Sequence, residues 1–300
     1  MVMGRAFRSP ALPIMENIHT LIEDIYSLFM EDSDARRSKD DLNKAAKKAG
    51  RNIATALVTA IEERKEKRPN TLRLSNIGRP KRQLWYQLNE VSGESTLNPS
   101  DYIKFIYGHM LEELVLFLSY ASGHHVSEQQ KKVKIGGVVG HKDCKIDGVT
   151  VDVKSASAYA FKKFKEGTLS EDDPFGYVSQ LSAYAKANNE KEAAFLAIDK
   201  SSGELTLLPL HQMEFDDVET KIKDIKKSLE QPEPPSKCYE DVPFGKSGNR
   251  HLAVGCRYCD YKRLCWADAN NGEGLREFKY ASGPVYLTEV RSVPNVEEVK

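Results

Sequence analysis

The sequence predicts a mixed α/β core, with a helical extension in front of it and a cysteine-rich module behind. Three observations predict this. Hydrophobic spacing switches along the chain between helical and strand-like periods, in the order helix, three strands, helix, strand, strand, helix. An Asp147-Gly148 pair joins two short runs of alternating character, the strongest short-range signal for a β-hairpin. A Pro-rich break, QPEPPSK, precedes a cluster of cysteines. The 300 residues thus divide into an N-terminal helical region at 1–74, a core at 75–230, and a cysteine module with tail at 231–300.

Taken in order, LPIMENIHTLIEDIYSLFME at 12–31 reads as an amphipathic helix, and 40–67 as a second helical region whose charged end leads into a turn. RLSNIGRPKRQLWYQLNE reads as a short helix docked by Leu84, Trp85 and Tyr86, and it carries Arg82. Residues 101–121 are apolar nearly all round, which predicts a buried helix. Strands follow at VKIGGVV, HKDCKI and VTVDVKS. The segment 158–174 reads as irregular and basic at its start, with Lys162, Lys163 and Lys165. PFGYVSQLSAYAKAN predicts a helix beginning near Pro174. AAFLAIDK and ELTLLPL are strands around a Ser201-Ser202-Gly203 turn, and a charged helix covers 214–230. Residues 277–300 read as a tail with one strand-like stretch, VYLTEV, and no function is assigned to it.

Composition is that of an ordinary soluble globular chain, 40% hydrophobic and 29% charged. Lys plus Arg equals Asp plus Glu at 44 each, a balance that neither demands nor excludes a local basic groove. No run approaches the roughly 20 apolar residues that span a bilayer, and the N-terminus lacks the apolar stretch of a signal peptide. The expectation is a cytoplasmic protein without a membrane partner. Five cysteines, Cys144, Cys238, Cys256, Cys259 and Cys265, point in such a chain to metal or redox chemistry rather than a disulfide framework.

A two-residue turn at Asp147-Gly148 pairs Ile146 with Val149, Lys145 with Thr150, Cys144 with Val151, and Asp143 with Asp152. One face then carries Cys144, Ile146, Val149, Val151 and Val153, and the other Asp143, Lys145, Thr150, Asp152 and Lys154. A slip of one residue would scramble both faces. Like charges directly opposite one another are destabilising. A hard divalent cation, Mg²⁺ or Mn²⁺, resolves the repulsion by taking carboxylate oxygens together with substrate phosphate and water. Lys154 is then placed to polarise an attacking water or to offset charge at phosphorus. The alternative is an exposed polar strand face with a simple Lys–Asp pairing. Glu112 shares a helical stripe with Gly108 and Val115, so it is expected to be substantially buried and to need a partner. Gln180 and Tyr184 stand four residues apart on one face with Tyr177, at the edge of the core-facing stripe Val178, Leu181 and Ala185.

With these residues together, the sequence resembles the PD-(D/E)XK nuclease superfamily. It is most similar to RecB-like exonucleases, including CRISPR-associated and bacteriophage members. Gly108 to Glu112 matches the G-x-x-x-E helix motif, Gly140-His141-Lys142-Asp143 matches G-H-x-D, Asp152-Val153-Lys154 matches (D/E)-x-K, and Gln180 to Tyr184 matches Q-x-x-x-Y. The order and approximate spacing agree over about residues 75–210. The resemblance implies a restriction-endonuclease-like core with a central mixed sheet flanked by helices. It implies that Glu112, Asp143, Asp152 and the Val153 carbonyl bind Mg²⁺ or Mn²⁺, that Lys154 assists the water, and that Gln180 and Tyr184 help hold the DNA strand. Many RecB-like members carry histidine at the Glu112 position, and His109 is the alternative here.

GCRYCDYKRLCW gives Cys256-x2-Cys259-x5-Cys265, thiolates at a density that binds Zn²⁺ or an iron–sulfur cluster with a fourth ligand. Related iron–sulfur exonucleases show the same spacing and take the fourth cysteine from before the nuclease core. This chain has Arg79-Pro80-Lys81-Arg82 there instead. Cys144 is expected to face the apolar side of the hairpin, which leaves Cys238, if GKSGN lets the 17 intervening residues loop back. A [4Fe-4S] cluster with a structural role is favoured over Zn²⁺. The expected function is a metal-dependent DNA exonuclease in recombination, repair or replication-end processing, with recombination or replication proteins as further partners. The alternatives are an endonuclease of the same fold, or a non-catalytic DNA-binding or assembly subunit. Phosphate contacts are expected from Arg82, Lys162, Lys163 and Lys165.

Overall fold

The computed structural model describes residues 17–31, 36–62, 70–93 and 99–299. The parts of the first two helical readings at 12–16 and 63–67 lie outside the described residues. A 3-10 turn at Ile18–Thr20 leads into α1 (Leu21–Ser27), followed by α2 (Lys39–Glu62), α3 (Lys81–Leu88) and α4 (Pro99–Ala121). Five strands come next: β1 (Val126–Ser127), β2 (Lys131–Ile135), β3 (Val138–Lys142), β4 (Cys144–Ile146) and β5 (Val149–Ala156). Then come α5 (Ala158–Glu166), α6 (Tyr177–Ala187), β6 (Glu192–Asp199), β7 (Leu205–His211) and α7 (Val218–Leu229).

The central sheet runs β1-β4-β5-β6-β7. Only β5 and β6 are parallel, joined by the crossover that contains α5 and α6; all other pairs are antiparallel. The Asp-Gly hairpin forms in the expected register, Cys144 opposite Val151, Lys145 opposite Thr150 and Ile146 opposite Val149. Cys144, Ile146, Val151 and Val153 pack with Leu21, Ile25, Val115 and Leu116 on one side of the sheet. On the other side Phe161, Phe164, Leu181 and Ala185 pack against Ala193, Phe195 and Ala197. Both faces of β5 and β6 are therefore covered, so β6 reads as a continuous apolar run.

Four local expectations are corrected. VKIGGVV is not one strand but the β2–β3 hairpin, turned at Gly136 and Gly137, whose φ values are +57° and +79°. A Cβ at Gly136 would also lie 3.1 Å from Ile222. HKDCKI likewise splits between β3 and β4, with Asp143 at the break. Residues 158–166 are helical rather than irregular. Ser157 caps the Ala160 N–H, Phe161 and Phe164 are buried, and Gly167 ends the helix in the left-handed conformation at φ +71°. Helix α4 is buried only in its C-terminal half, at Val115, Leu116, Ser119 and Ala121. Ile103, Phe105, Tyr107, Met110 and Leu114 are exposed. Helix α4 packs against α2, which has no buried residue of its own and so offers its apolar side chains little core.

The C-terminal residues are not a tail. They form β8 (Val242–Phe244), β9 (Asn249–His251), α8 (Val254–Arg257), α9 (Lys262–Cys265), β10 (Arg276–Tyr280), β11 (Gly283–Glu289) and β12 (Glu298–Val299). The strands make a second, antiparallel sheet in the order β12-β10-β11-β9-β8, closed around Phe278, Val285 and Leu287. Helix α3 ties this sheet region to the core. The Trp85 indole N–H donates to the Gln231 carbonyl at 3.0 Å, and the Tyr86 ring meets Tyr261 at 5.2 Å.

One buried charge underpins the strand that leads to Asp143. Lys142 is fully buried, and its ammonium meets the Glu128 carboxylate at 2.5 Å. The hydrogen bond from Lys131, then the contact with Lys142, hold Glu128 down at about 2. Glu128→Gln is expected to destabilise the fold by about 3 kcal/mol, because it strands a buried ammonium. Adding Lys142→Met should recover most of that loss. Urea denaturation of the three variants checks this, and an unchanged midpoint for Glu128→Gln would count against it.

Candidate active site

Strand β5 presents Asp152 toward α6, two residues before Lys154. Asp152 is completely buried. Gln180, on α6, donates from Nε2 to Asp152 Oδ1 and to the Tyr184 hydroxyl, both at 3.2 Å. Their i,i+4 spacing lets one amide address both partners. The Lys154 ammonium pairs with Asp152 Oδ2 and lies 4.6 Å above the centre of the Tyr177 ring. Asp143 has no ladder partner in the hairpin, contrary to the expected face-to-face pairing. Instead it sits at the break after β3, and its Oδ2 accepts from the Val153 N–H at 2.9 Å. Glu112 comes in from α4, with Oε1 accepting from Gln130 Nε2 at 3.2 Å.

The electrostatics show that these groups act on one another. Burial first, then the neighbouring Glu113 and Asp152 carboxylates, push Glu112 up to about 7. Burial, then Asp152 and Glu112, push Asp143 well above the usual carboxylate range. Burial alone would lower Lys154, but Asp152 and Asp143 outweigh it and hold the ammonium above its ordinary value. Burial and the Asp152 charge raise Tyr184. Like charges gathered in a desolvated place favour a proton or a cation. Gly140 of the strand motif has a packing reason. A Cβ there would lie 2.7 Å from Leu74 and 2.9 Å from Tyr184.

The structure thus brings together Glu112, Asp143, Asp152, Lys154, Gln180 and Tyr184, with the Val153 backbone beside them. His109 is exposed. The basic residues are placed differently. Arg82 lies at the cysteine cavity described below and donates to the Pro235 carbonyl. On α5, Lys162 pairs with Glu166 at 3.6 Å, Lys163 with Asp172, and Lys165 with Glu204 at 2.6 Å. Two contributors carried no assigned role in the sequence. Gln130 has no local signal, since it reaches Glu112 only through the fold. Tyr177 shares the helical face of Gln180 and Tyr184, and that shared face was the available signal.

Cys238, Cys256, Cys259 and Cys265 line one small cavity together with Arg82 and Tyr86. The β8–β9 hairpin, turned through Gly245 and Gly248, brings the chain back between Cys238 and Cys256. Cys144 is buried in the main core, as its strand position requires. Burial pushes the Cys256 thiol up to about 12 and the Cys259 thiol up to about 11. The Arg82 guanidinium works against burial at Cys265, where burial still prevails. Among the described residues, no three His, Cys, Asp or Glu side chains stand as a ready-made metal-ligand group. What the two places offer is a donor set. Carboxylates and a backbone carbonyl suit a hard divalent cation, and four thiols suit zinc or an iron–sulfur cluster.

No protein-family profile and no curated protein matches the chain. Among solved structures, SSO0001 matches with a TM-score of 0.43 and 16% identity, over 71% of this chain and 95% of its own. An alkaline exonuclease (LHK-Exo) from Laribacter hongkongensis matches with a TM-score of 0.39 and 14% identity, over 54% and 88%. A phage-related exonuclease from Haemophilus somnus 129PT matches with a TM-score of 0.37 and 15% identity, over 52% and 89%. Among the described residues no helix is long and apolar enough to cross a membrane.

Proposed function

We propose that this chain is a metal-dependent DNA exonuclease of the PD-(D/E)XK type. The single observation that carries the reading is that the buried Asp152 pairs with the Lys154 ammonium while the neighbouring Asp143 and Glu112 are both pushed above the ordinary carboxylate range, by burial first and then by the nearby carboxylates. Glu112, Asp143, Asp152 and the Val153 carbonyl would hold Mg²⁺ or Mn²⁺. Such an ion, when bound, makes water a nucleophile near neutral pH and offsets charge on the phosphate. Lys154 keeps its proton under Asp152 and Asp143, so it acts as a fixed positive charge facing the phosphodiester rather than as a base. Gln180 fixes the Asp152 carboxylate through Oδ1 and leaves Oδ2 turned to the ammonium.

The test is digestion of end-labelled single- and double-stranded DNA with Mg²⁺ or Mn²⁺, beside a closed circle. Release of mononucleotides from linear DNA, stopped by EDTA, with the circle intact, is the expected result. An opened circle would make it an endonuclease. DNA retention with no metal-dependent degradation on any substrate would leave only a binding protein.

The four cavity cysteines would hold a [4Fe-4S] cluster that clips the C-terminal module to α3. Protein purified without oxygen should absorb broadly at about 400 nm, as iron–sulfur centres do. Cys238→Ser and Cys259→Ser should each lose that band. A colourless protein carrying stoichiometric zinc would replace the cluster with a zinc site, and absorbance unaltered in Cys238→Ser would remove that residue as a ligand.

A further inference from the structure

Phe175 is just over half exposed, at 53%. Single exposed apolar side chains are ordinary, but this one is held rigidly and in a particular place. Its ring stacks on Tyr177, with centroids 5.5 Å apart and planes 26° apart. Tyr177 stacks in turn on the buried Phe164, at 6.5 Å and 29°. The face of Tyr177 also carries the Lys154 ammonium. A short aromatic ladder therefore runs from the core, past the lysine of the carboxylate site, to a ring open to solvent.

The backbone under the ring is fixed from two sides. Gly176 adopts φ +74°, and a Cβ on it would fall 2.3 Å from the Gly78 backbone, so the two glycines lock this loop against the segment before α3. The Asp173 carboxylate accepts from the Tyr177 and Val178 N–H groups at 3.0 and 2.9 Å, capping α6 and holding the turn that carries Phe175. The Asp172 carboxylate in the same loop is neutralised by Lys163. A rigid, open aromatic face beside a site for a phosphodiester is suited to a nucleobase, because every base offers a π-face and stacking is indifferent to sequence.

We propose that Phe175 is the stacking platform for the base next to the scissile phosphate, so that the preferred substrate is an unpaired DNA strand. The inference rests on the nuclease reading above. A base held in a duplex is already stacked on its neighbours, whereas a single-stranded base is free to stack on the ring. Phe175 is in this sense a specificity-determining residue, distinct from the carboxylates and the lysine.

Phe175→Ala should raise KM for a single-stranded oligonucleotide by roughly 5- to 100-fold, with kcat nearly unchanged. Placing an abasic residue at the scissile position should impose the same penalty on wild type and none on Phe175→Ala. Phe175→Trp should restore KM, and its added fluorescence should be quenched by the normal oligonucleotide but not by the abasic one. If wild type degrades DNA while Phe175→Ala and the abasic strand leave KM unmoved, the platform is wrong and the nuclease reading stands. If wild type degrades nothing yet the tryptophan is quenched only by base-bearing strands, the nuclease reading fails and the platform survives as a binding element. Absence of quenching overturns the platform in either case, and would leave the exposed ring as a contact for another protein.

Discussion

Lys154→Ala is expected to lower the rate of DNA cleavage about a thousandfold, the scale seen when one preorganised donor facing developing charge is removed. Among the described residues the ammonium is the cation that pairs with Asp152, and Tyr177 and the Asp152 carboxylate fix its position from two directions. Asp152→Asn should cost at least as much. It keeps the shape of the side chain and an oxygen for Gln180, but removes the charge that would hold the metal. The two variants separate differently by stability. Lys154→Ala leaves Asp152 buried without its partner and should melt below wild type, whereas Asp152→Asn removes a charge from a crowded acidic place. Rates are therefore compared well below both melting temperatures, with circular dichroism confirming that each variant is folded. Either variant retaining more than a tenth of wild-type activity would show that the cluster around β5 is not the reacting centre.

Much of that cluster was legible because its spacing is local. The Asp-Gly turn fixes the hairpin, the period of two puts Asp152 and Lys154 on one face, and the period of 3.6 puts Gln180 beside Tyr184. The pairing of Asp143 with Asp152 failed for a reason equally physical. The pattern HKDCKI looks like one strand, yet as far as Lys142 the chain belongs to β3 and pairs with β2 in a separate sheet, and it re-enters the main sheet only at Cys144. Asp143 thus reaches the site from a break, through a bond to the Val153 N–H rather than across a ladder. Burial of α4 was overestimated because apolar content says nothing about whether a sheet extends far enough to cover it. The lysine segment at 158–166 concealed a helix because its charges drew attention from Ser157, Gly167 and the Phe161–Phe164 pair. Gln130 could not be read at all. Its bond to Glu112 joins a turn to a helix 18 residues earlier, and only the fold brings them together.

The same carboxylates that would serve catalysis should cost stability when no cation is present. The folded-state pKa of Glu112, about 7, lies above the ordinary value of 4.5, and that of Asp143 is raised as well. The fold therefore favours their protonated forms. The stabilisation this gives is complete below about 4.5 and is lost as pH rises through about 7. For Glu112 alone the loss is on the order of 3 kcal/mol. In EDTA, Glu112→Gln should melt close to wild type at pH 5 and roughly 4–8 °C above it at pH 8, since the amide keeps the shape without the charge. Mn²⁺ should raise the wild-type melting temperature strongly at pH 8 and weakly at pH 5, and the gain should shrink in Glu112→Gln, which loses activity while gaining stability. Calorimetry at the two pH values checks this. A Glu112→Gln protein that melts below wild type at pH 8 would mean that the Glu112 carboxylate is stabilised by its surroundings, and the repulsion that motivates a shared cation would be absent.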